Sequence, residues 1–443
     1  MPAWGLRVSR REARGLVRVL RRAGFQAVFA GGAVRDRLLG VRGGDVDIAT
    51  SALPAQVQAL FPRTVLVGEA FGVVKVLHGR GQYDVATFRR DIGIADGRHP
   101  AAIEPATLEQ DVQRRDFGIN GLVEDPASGE VIDLVGGRDD LRAGLLRAIG
   151  EPALRFREDA LRLLRGVRFA ARFGLRIEAG TFAAMRAEAQ RLRLVSGERV
   201  RDELSKMLVH PSRRRAIELL DETGLLDVCL PELPPMHGCE QPPDFHPEGD
   251  VWVHTLLALD KLPPRPSFEL ALGMLLHDVG KPPTFVRAAD RIRFDGHVEL
   301  GADMARAICG RLRLSNAATE RVVALVRDHL LFKDVPQMRP ARLRRLLAEP
   351  YWPELLALYK ADVAACHGQF SALPAIAAMR RKLSREALVP PPLLRGEDVL
   401  ALGVPPGPRV GELLREAVDR QLDGELVGRE AALEWLRGRV AAG

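Results

Sequence analysis

Ala27-Val28-Phe29-Ala30-Gly31-Gly32-Ala33-Val34-Arg35-Asp36-Arg37-Leu38-Leu39-Gly40, followed by Asp45-Val46-Asp47-Ile48-Ala49-Thr50, is the stretch whose reading decides the fold. Its apolar opening reads as a strand. The two glycines let the backbone approach a ligand without side-chain obstruction. A short helix follows, so its first N–H groups point back toward the glycine turn, where an anion can sit. Asp-x-Asp then lies on extended chain, where alternate residues share a face. Asp45 and Asp47 therefore point together while Val46 and Ile48 face the core. Paired carboxylates beside a phosphate cradle of Gly31, Gly32 and Arg35 suit Mg²⁺-dependent phosphoryl transfer.

Residues 1–150 alternate strand and helix, an α/β head. Leu6, Val8, Leu16, Val17 and Leu20 mark an amphipathic first helix. After Asp47 a helix is expected over 54–60 and strands over 65–67 and 73–77. Gly79-Arg80-Gly81 marks a hairpin turn into Tyr83-Asp84-Val85-Ala86-Thr87-Phe88-Arg89. Asp84 falls on that strand with a period of two and is a candidate third carboxylate. Residues 90–112 have few apolar positions and read as a long loop, a feature often functional in compact domains. Arg115-Asp116 can hold a ribose, the carboxylate accepting from the 2′-OH and the guanidinium contacting phosphate.

From 151 the strands are expected to vanish. A helix is expected from Phe156 through Arg165, with Asp159 and Arg162 three apart on one face. Cytosine and adenine both show an amino donor beside a ring acceptor, which a carboxylate and a guanidinium match together. Uracil and guanine show the reverse polarity, and each unsatisfied buried group costs about 1–3 kcal/mol. One Asp–Arg pair could so select C and A without a template; the alternative is an ordinary surface ion pair. Further amphipathic helices run to about 235. Their Arg199, Arg201 and Arg213 to Arg215 read as a basic surface or a solvated helix face.

Residues 231–247, rich in proline, mark a boundary. Beyond them stand His254, His277-Asp278-Val279-Gly280-Lys281, His297, Asp328-His329 and Asp362. Imidazoles and carboxylates on successive helices can converge on one or two divalent metals. His254, His277, Asp278, His297, His329 and Asp362 are the expected ligands, and both a structural and a hydrolytic metal fit the pattern. The last helices follow from about 390. Four domains are thus expected: 1–150, 151–235, 246–380 and 390–443.

The composition narrows the class. At 443 residues with 47% hydrophobic content, the chain is large enough for several globular domains. A net charge of +7 and a pI of 9.6 favour a polyanionic partner modestly. The four cysteines lack paired metal spacing and fit buried thiols in a reducing compartment. No apolar run approaches a membrane span, and the Arg-rich start lacks a secretory h-region, so a cytoplasmic protein is expected. Neither a Walker loop nor a dinucleotide Gly-x-Gly-x-x-Gly occurs.

Taken together, these motifs resemble the bacterial CCA-adding enzymes, the class II branch of the tRNA nucleotidyltransferase and poly(A) polymerase family, over nearly the whole chain. The later His/Asp set resembles the HD phosphohydrolase superfamily. The resemblance implies an α+β protein: a nucleotidyltransferase head with a mixed sheet, then an all-α neck, body, HD domain and tail. It implies tRNA, ATP and CTP as partners and two Mg²⁺ ions held by Asp45 and Asp47, with Asp84 alongside. Arg115 and Asp116 match the family's ribose-reading pair. Glu158, Asp159 and Arg162 match its Glu-Asp-x-x-Arg motif, with Arg165 beyond as a further nucleotide contact. The family's flexible segment, which participates in adding the last nucleotide, would contain Asp96 to Pro100, and its tRNA-holding tail would lie near 403–408. A Mn, Ni or Mg ion would occupy the HD domain. The expected activity is template-independent addition of CMP and AMP to tRNA 3′ ends. An A-adding or CC-adding specialist, a poly(A) polymerase, and an HD phosphohydrolase with an RNA-binding head are the alternatives. The segment around 96–100 argues against a CC-only enzyme, and Gly68-Glu69-Ala70-Phe71-Gly72-Val73 looks like the tRNA branch.

Overall fold

The structure is a computed structural model describing residues 9–41, 46–66, 72–79, 81–93, 102–243, 246–366, 368, 370, 372–383 and 389–442. Asp45, the 96–100 segment and most of 68–73 lie outside the described residues. Residues up to Pro234 and from Pro235 form two compact units.

The first unit opens with α1 (Arg10–Arg22), β1 (Ala27–Ala30), α2 (Gly32–Leu38), β2 (Asp47–Thr50) and α3 (Pro54–Leu60). Next come β3 (Thr64–Leu66), β4 (Val73–His78) and β5 (Gly81–Thr87). Across 90–112, read as one long loop, the described residues instead form the antiparallel pair β6 (Arg89–Ile92) and β7 (Ala102–Pro105) and the helix α4 (Leu108–Gln113). Short strands β8 (Val123–Glu124) and β9 (Val131–Ile132) and helix α5 (Gly137–Arg142) complete the head. A seven-stranded sheet runs in the order β3-β4-β5-β2-β1-β8-β9. Its β2–β5 pair is parallel and the others antiparallel, the mixed sheet expected.

The central strands are apolar on both faces because both faces are covered. Phe29, Ile48 and Val85 pack with Leu16 and Leu20 of α1 and Val57 of α3. Val28, Ala49 and Val123 pack on the other side with Leu108 and Val112 of α4. Full burial of a side chain such as Phe29 contributes about 2–3 kcal/mol. Only the first residue of β2, Asp47, emerges exposed.

The helical part of this unit comprises α6 (Pro152–Glu158), α7 (Leu161–Phe173), α8 (Ala179–Glu188), α9 (Gly197–Leu208), α10 (Arg213–Glu222) and α11 (Leu226–Cys229). Two expectations fail here. Strands do not vanish: β10 (Leu145–Leu146) pairs with β11 (Arg176–Ile177) in parallel. Nor is 156–165 one helix. The chain is extended at Asp159, with φ −148° and ψ 105°. Its carboxylate accepts from Leu161 N at 3.1 Å, a side-chain bond that competes with helix continuation and starts a new one.

In the second unit Asp250 caps α12 (Val251–Lys261), accepting from Val253 N at 2.8 Å. Ser267 likewise caps α13 (Phe268–Leu276) through Leu270 N at 3.1 Å. A small hairpin, β12 (Val286–Arg287) and β13 (Ile292–Arg293), leads into α14 (His297–Arg311). Then follow α15 (Asn316–Asp328), α16 (Pro340–Ala348), α17 (Trp352–Ala365) and α18 (Ala372–Leu383). The chain closes with α19 (Gly396–Leu400), α20 (Pro408–Asp423) and α21 (Arg429–Ala441), packed around Val399, Leu413 and Leu436. Among the described residues, no helix is long and apolar enough to cross a membrane.

Candidate functional site

Register brings the opening motif together. Ala30 of β1 pairs with Asp47 of β2, so the chain leaves β1 as Gly31-Gly32 where Asp47 begins its strand. Gly31, Gly32, Asp47, Arg115, Asp116, Asp159, Arg162 and Arg165 all line one cleft of about 1140 Å³. Among the described residues, eight arginines and five carboxylates line it, an excess of positive charge suited to a polyphosphate.

Gly31 has φ +67°, where L side chains are strained, and a Cβ there would meet Arg115 Nη1 at 3.0 Å. Its N–H donates to Leu122 O at 3.0 Å. Gly31 thus supplies room for Arg115 rather than an amide for phosphate. Arg115 donates to Asp111 Oδ2 at 2.9 Å and to Asn120 O at 3.3 Å. Its Nε is buried with no hydrogen-bond partner among the described residues.

Arg35 does not join the cradle. Its guanidinium is buried, bonds Asp36 Oδ1 through Nε at 2.9 Å and Nη2 at 2.6 Å, and donates to Asn120 Oδ1. Phe169 and Phe173 of α7 lie 5.0 and 4.4 Å from its carbon. It fastens α7 to the head. Asp84 is the candidate third carboxylate. One step back along the Ile48–Val85 register it sits beside Asp47 on the same sheet face. Its carboxylate pairs with Lys75 at 3.1 Å, however, and it is not among the cleft-lining residues.

Asp116 is buried and accepts from Phe117 N and Asn120 Nδ2, both at 2.9 Å, and from Arg165 Nη2 at 2.6 Å. Burial pushes its carboxyl up, but Arg165 and Asn120 outweigh that and hold it below the usual range. Asp159 and Arg162 both reach the cleft without pairing with each other. Arg199 Nη2 meets Asp159 Oδ1 and Oδ2 at 3.2 and 3.0 Å. Arg162 bonds Glu158 Oε2 at 2.6 Å, Arg155 O at 3.1 Å and Arg114 O at 2.8 Å.

Sequence reading missed three contributors. Asn120 joins Asp116 to Arg35, and its four-residue offset from Asp116 was the available signal. Arg155 lines the cleft and pairs with Glu158, a spacing of three along α6. Arg199, read as surface charge, is the partner of Asp159; nothing local in the sequence indicates a contact from α9.

The second unit gathers the expected His/Asp set. His254 Nε2 lies 3.0 Å from Asp362 Oδ1 and 3.2 Å from His277 Nε2. His277 Nε2 is 3.2 Å from Asp278 Oδ2, and Asp278 Oδ1 is 3.9 Å from His297 Nε2 and 3.7 Å from His329 Nε2. A close approach permits this: a Cβ on Gly280 would fall 2.1 Å from His297 O. The Nδ1 atoms of His277, His297 and His329 face the carbonyls of Met274, Phe294 and Val326 at 2.8, 2.8 and 2.7 Å. Those bonds fix the Nδ1–H tautomer and leave Nε2 as a ligand. Burial pushes His329 down to about 4, so it is neutral at pH 7. Asp278 Oδ1 and His297 Nε2 are buried without a hydrogen-bond partner among the described residues. The donor set therefore fits a divalent transition metal. Lys281 Nζ, 2.8 Å from Asp278 Oδ2 and 2.6 Å from Gln241 Oε1, was not foreseen as part of it.

The poly A polymerase head domain family matches residues 27–147, the probable RNA and SrmB-binding site of polymerase A matches 174–236, and the HD domain matches 252–365. An A-adding tRNA nucleotidyltransferase of Deinococcus radiodurans is 37% identical over 421 residues, covering 90% of this chain and 92% of that protein. A CC-adding tRNA nucleotidyltransferase of Thermus thermophilus is 36% identical over 430 residues, covering 93% and 94%. The solved CCA-adding enzyme of Bacillus stearothermophilus in complex with CTP superposes with a TM-score of 0.73 at 30% identity, covering 98% of each chain. The chain is a nucleotidyltransferase and belongs to the tRNA nucleotidyltransferase family, whose members include CCA-adding, CC-adding and A-adding enzymes.

Proposed function

We propose that this chain adds CMP and AMP, without a template, to the 3′ end of tRNA, from CTP and ATP. The observation that carries this reading is the single cleft where Asp47 and the glycine turn meet Arg115, Asp116, Asp159 and Arg162. The cationic lining, with Arg115 foremost, receives the triphosphate. Asp116, ionised and held by Arg165, accepts from the ribose 2′-OH. Asp159 accepts from the base amino group and Arg162 donates to the ring nitrogen, so C and A are matched while U and G are opposed. The terminal 3′-OH of the tRNA attacks the α-phosphorus, and pyrophosphate leaves.

Asp47, together with Asp45, would hold Mg²⁺. An exposed carboxylate beside an incoming triphosphate is the oxygen-donor setting that ion takes. When bound, Mg²⁺ supplies charge neutralisation of the phosphates and a lowered pKa of the attacking hydroxyl.

The test uses tRNA ending before, within or after CC, each nucleotide alone, and Mg²⁺. Ordered addition of C, C and A supports the proposal. Addition of AMP only after CC supports an A-adding specialist, and CMP alone a CC-adding one; two relatives of near-equal identity carry those names. Long A tails would indicate a poly(A) polymerase.

The His/Asp centre supports a second activity, metal-dependent phosphoester hydrolysis. His254, His277, Asp278, His297, His329 and Asp362 would hold the metal. The imidazole-rich donors favour Ni or Mn over Mg, which prefers oxygen. Phosphate release from a phosphomonoester or phosphodiester with each metal tests it; no release with any of the three refutes hydrolysis.

A further inference from the structure

Beside the His/Asp centre lies a second set of donors that nucleotide addition does not use and that shares only His254 with the His/Asp motif. His246, Glu248, His254 and Cys366 each bring a nitrogen, oxygen or sulfur atom within 4.8 Å of the others. His246 Nδ1 is 2.9 Å from Glu248 Oε1, and Cys366 Sγ is 3.5 Å from His246 Nδ1 and 3.6 Å from His254 Nδ1. The Glu248 side chain is only 6% exposed, yet its Oε2 is buried with no hydrogen-bond partner among the described residues.

The two sets meet at one imidazole and one helix. His254 turns Nε2 to Asp362 at 3.0 Å and Nδ1 to Glu248 Oε1 at 2.6 Å. Asp362 and Cys366 are four residues apart at the end of α17, one turn of the same face. Asp362 faces the first set and Cys366 the second.

We propose that His246 Nδ1, the Glu248 carboxylate and Cys366 Sγ form a separate site for a thiophilic divalent cation of the zinc class, with His254 Nδ1 at its edge. Ligand distances of about 2.0–2.3 Å place tetrahedral neighbours roughly 3.3–3.8 Å apart. Both sulfur–nitrogen separations fall in that range. The two shorter separations at Glu248 are hydrogen bonds that open as the carboxylate turns to the cation. On binding, the Cys366 thiol proton leaves to solvent and the sulfur donates as thiolate. A set of imidazole, carboxylate and thiolate favours zinc over the oxygen-preferring Mg²⁺. The His/Asp centre has no sulfur, so the two sites differ in which metal they prefer and in how their occupancy is read.

Cobalt(II) reports the difference, because only a thiolate ligand gives a sulfur-to-cobalt charge-transfer band in the near ultraviolet. The full-length protein is stripped of metal, kept reduced and titrated with Co²⁺ alone. The expected result is a charge-transfer band that Zn²⁺ abolishes. Cys366→Ser loses it while keeping the weaker visible bands of cobalt in the His/Asp centre, which also shows that the unit is folded. His246→Ala weakens cobalt affinity at this site at least tenfold. Asp278→Asn, which damages the first centre, and Cys239→Ser, which removes another buried thiol, keep the band. Absence of the band from the wild-type protein, or its survival in Cys366→Ser, overturns the proposal. In that event the four side chains are a hydrogen-bond network orienting His254.

Discussion

Arg165 Nη2 of α7 lies 2.6 Å from Asp116 Oδ2 of the head. Through Asn120 the same carboxylate is linked to Arg35, which packs against Phe169 and Phe173 of that helix. The proposed ribose acceptor is therefore also a structural junction. Asp116→Ala strands a guanidinium and an amide together and is expected to cost about 3 kcal/mol of stability. Asp116→Asn, which keeps the shape, is expected to cost less than half as much while still losing activity. Denaturant midpoints of the two variants check this; equal losses would show that the charge alone carries the junction.

Acid should weaken the first unit in a defined window. Burial raises Asp111, Asp116 and Glu203, but neighbouring cations, with Asn120 beside Asp116, outweigh it and leave all three below their usual values. The unfolded chain therefore binds protons first as the pH drops through about 4. Stability present above that value is lost on the way to the lower folded values. Urea midpoints measured from pH 6 to pH 3 are expected to fall, and less steeply in Asp116→Asn. A midpoint flat across that range would contradict the assignment.

Gly31→Ala places a Cβ 3.0 Å from Arg115 Nη1 at a backbone φ of +67°. The backbone strain alone is about 1–2 kcal/mol. Because Arg115 must also move, kcat/KM for nucleotide addition is expected to fall at least tenfold. Steady-state kinetics with CTP and ATP measure it, and an unchanged value would show that Arg115 has no part in triphosphate binding.

Base choice should respond to Asp159 and to its partner. Asp159→Ala is expected to reduce discrimination against UTP by about 5- to 150-fold, the equivalent of about 1–3 kcal/mol, with triphosphate affinity retained. Arg199→Ala releases the carboxylate held at 3.0 and 3.2 Å and should also loosen selectivity, by a smaller factor. Competition between CTP and UTP reads both, and unchanged selectivity in Asp159→Ala would remove this account of specificity.

Gly280→Ala forces a Cβ to within 2.1 Å of His297 O, a clash with backbone that no rotamer relieves. His297 should move from Asp278, and metal bound by the His/Asp centre should fall at least tenfold in affinity. Elemental analysis after equilibration with Mn²⁺ or Ni²⁺ measures the loss. Full occupancy in the variant would show that His297 is not a ligand.

What the sequence revealed tracks how local each cause was. Asp47 beside Gly31-Gly32 was legible because strand alternation and a glycine turn act over a few residues. The six His and Asp positions were legible because their residue types have few other uses as an ordered set, and the structure gathers them. Arg35 was misread as a phosphate contact because a guanidinium adjoining a glycine turn looks exposed until Phe169 and Phe173 pack on it. Asp159 and Arg162 looked like one helical pair, but a break at Asp159 gave each a different partner, one of them from α9. Cys366 and Glu248 had no motif to mark them; Glu248 reaches His254 from six residues earlier, while only tertiary packing brings Cys366 there.

The role of Asp47 is tested most directly by transfer of labelled CMP from CTP to tRNA lacking CCA, comparing wild type with Asp47→Asn. The wild-type protein should extend the tRNA, and the variant should be slower by on the order of 10³-fold, since a metal carboxylate contributes several kcal/mol at the transition state. CTP and tRNA binding should change no more than a few-fold. A variant that still extends the tRNA at the wild-type rate would contradict phosphoryl transfer at this cleft.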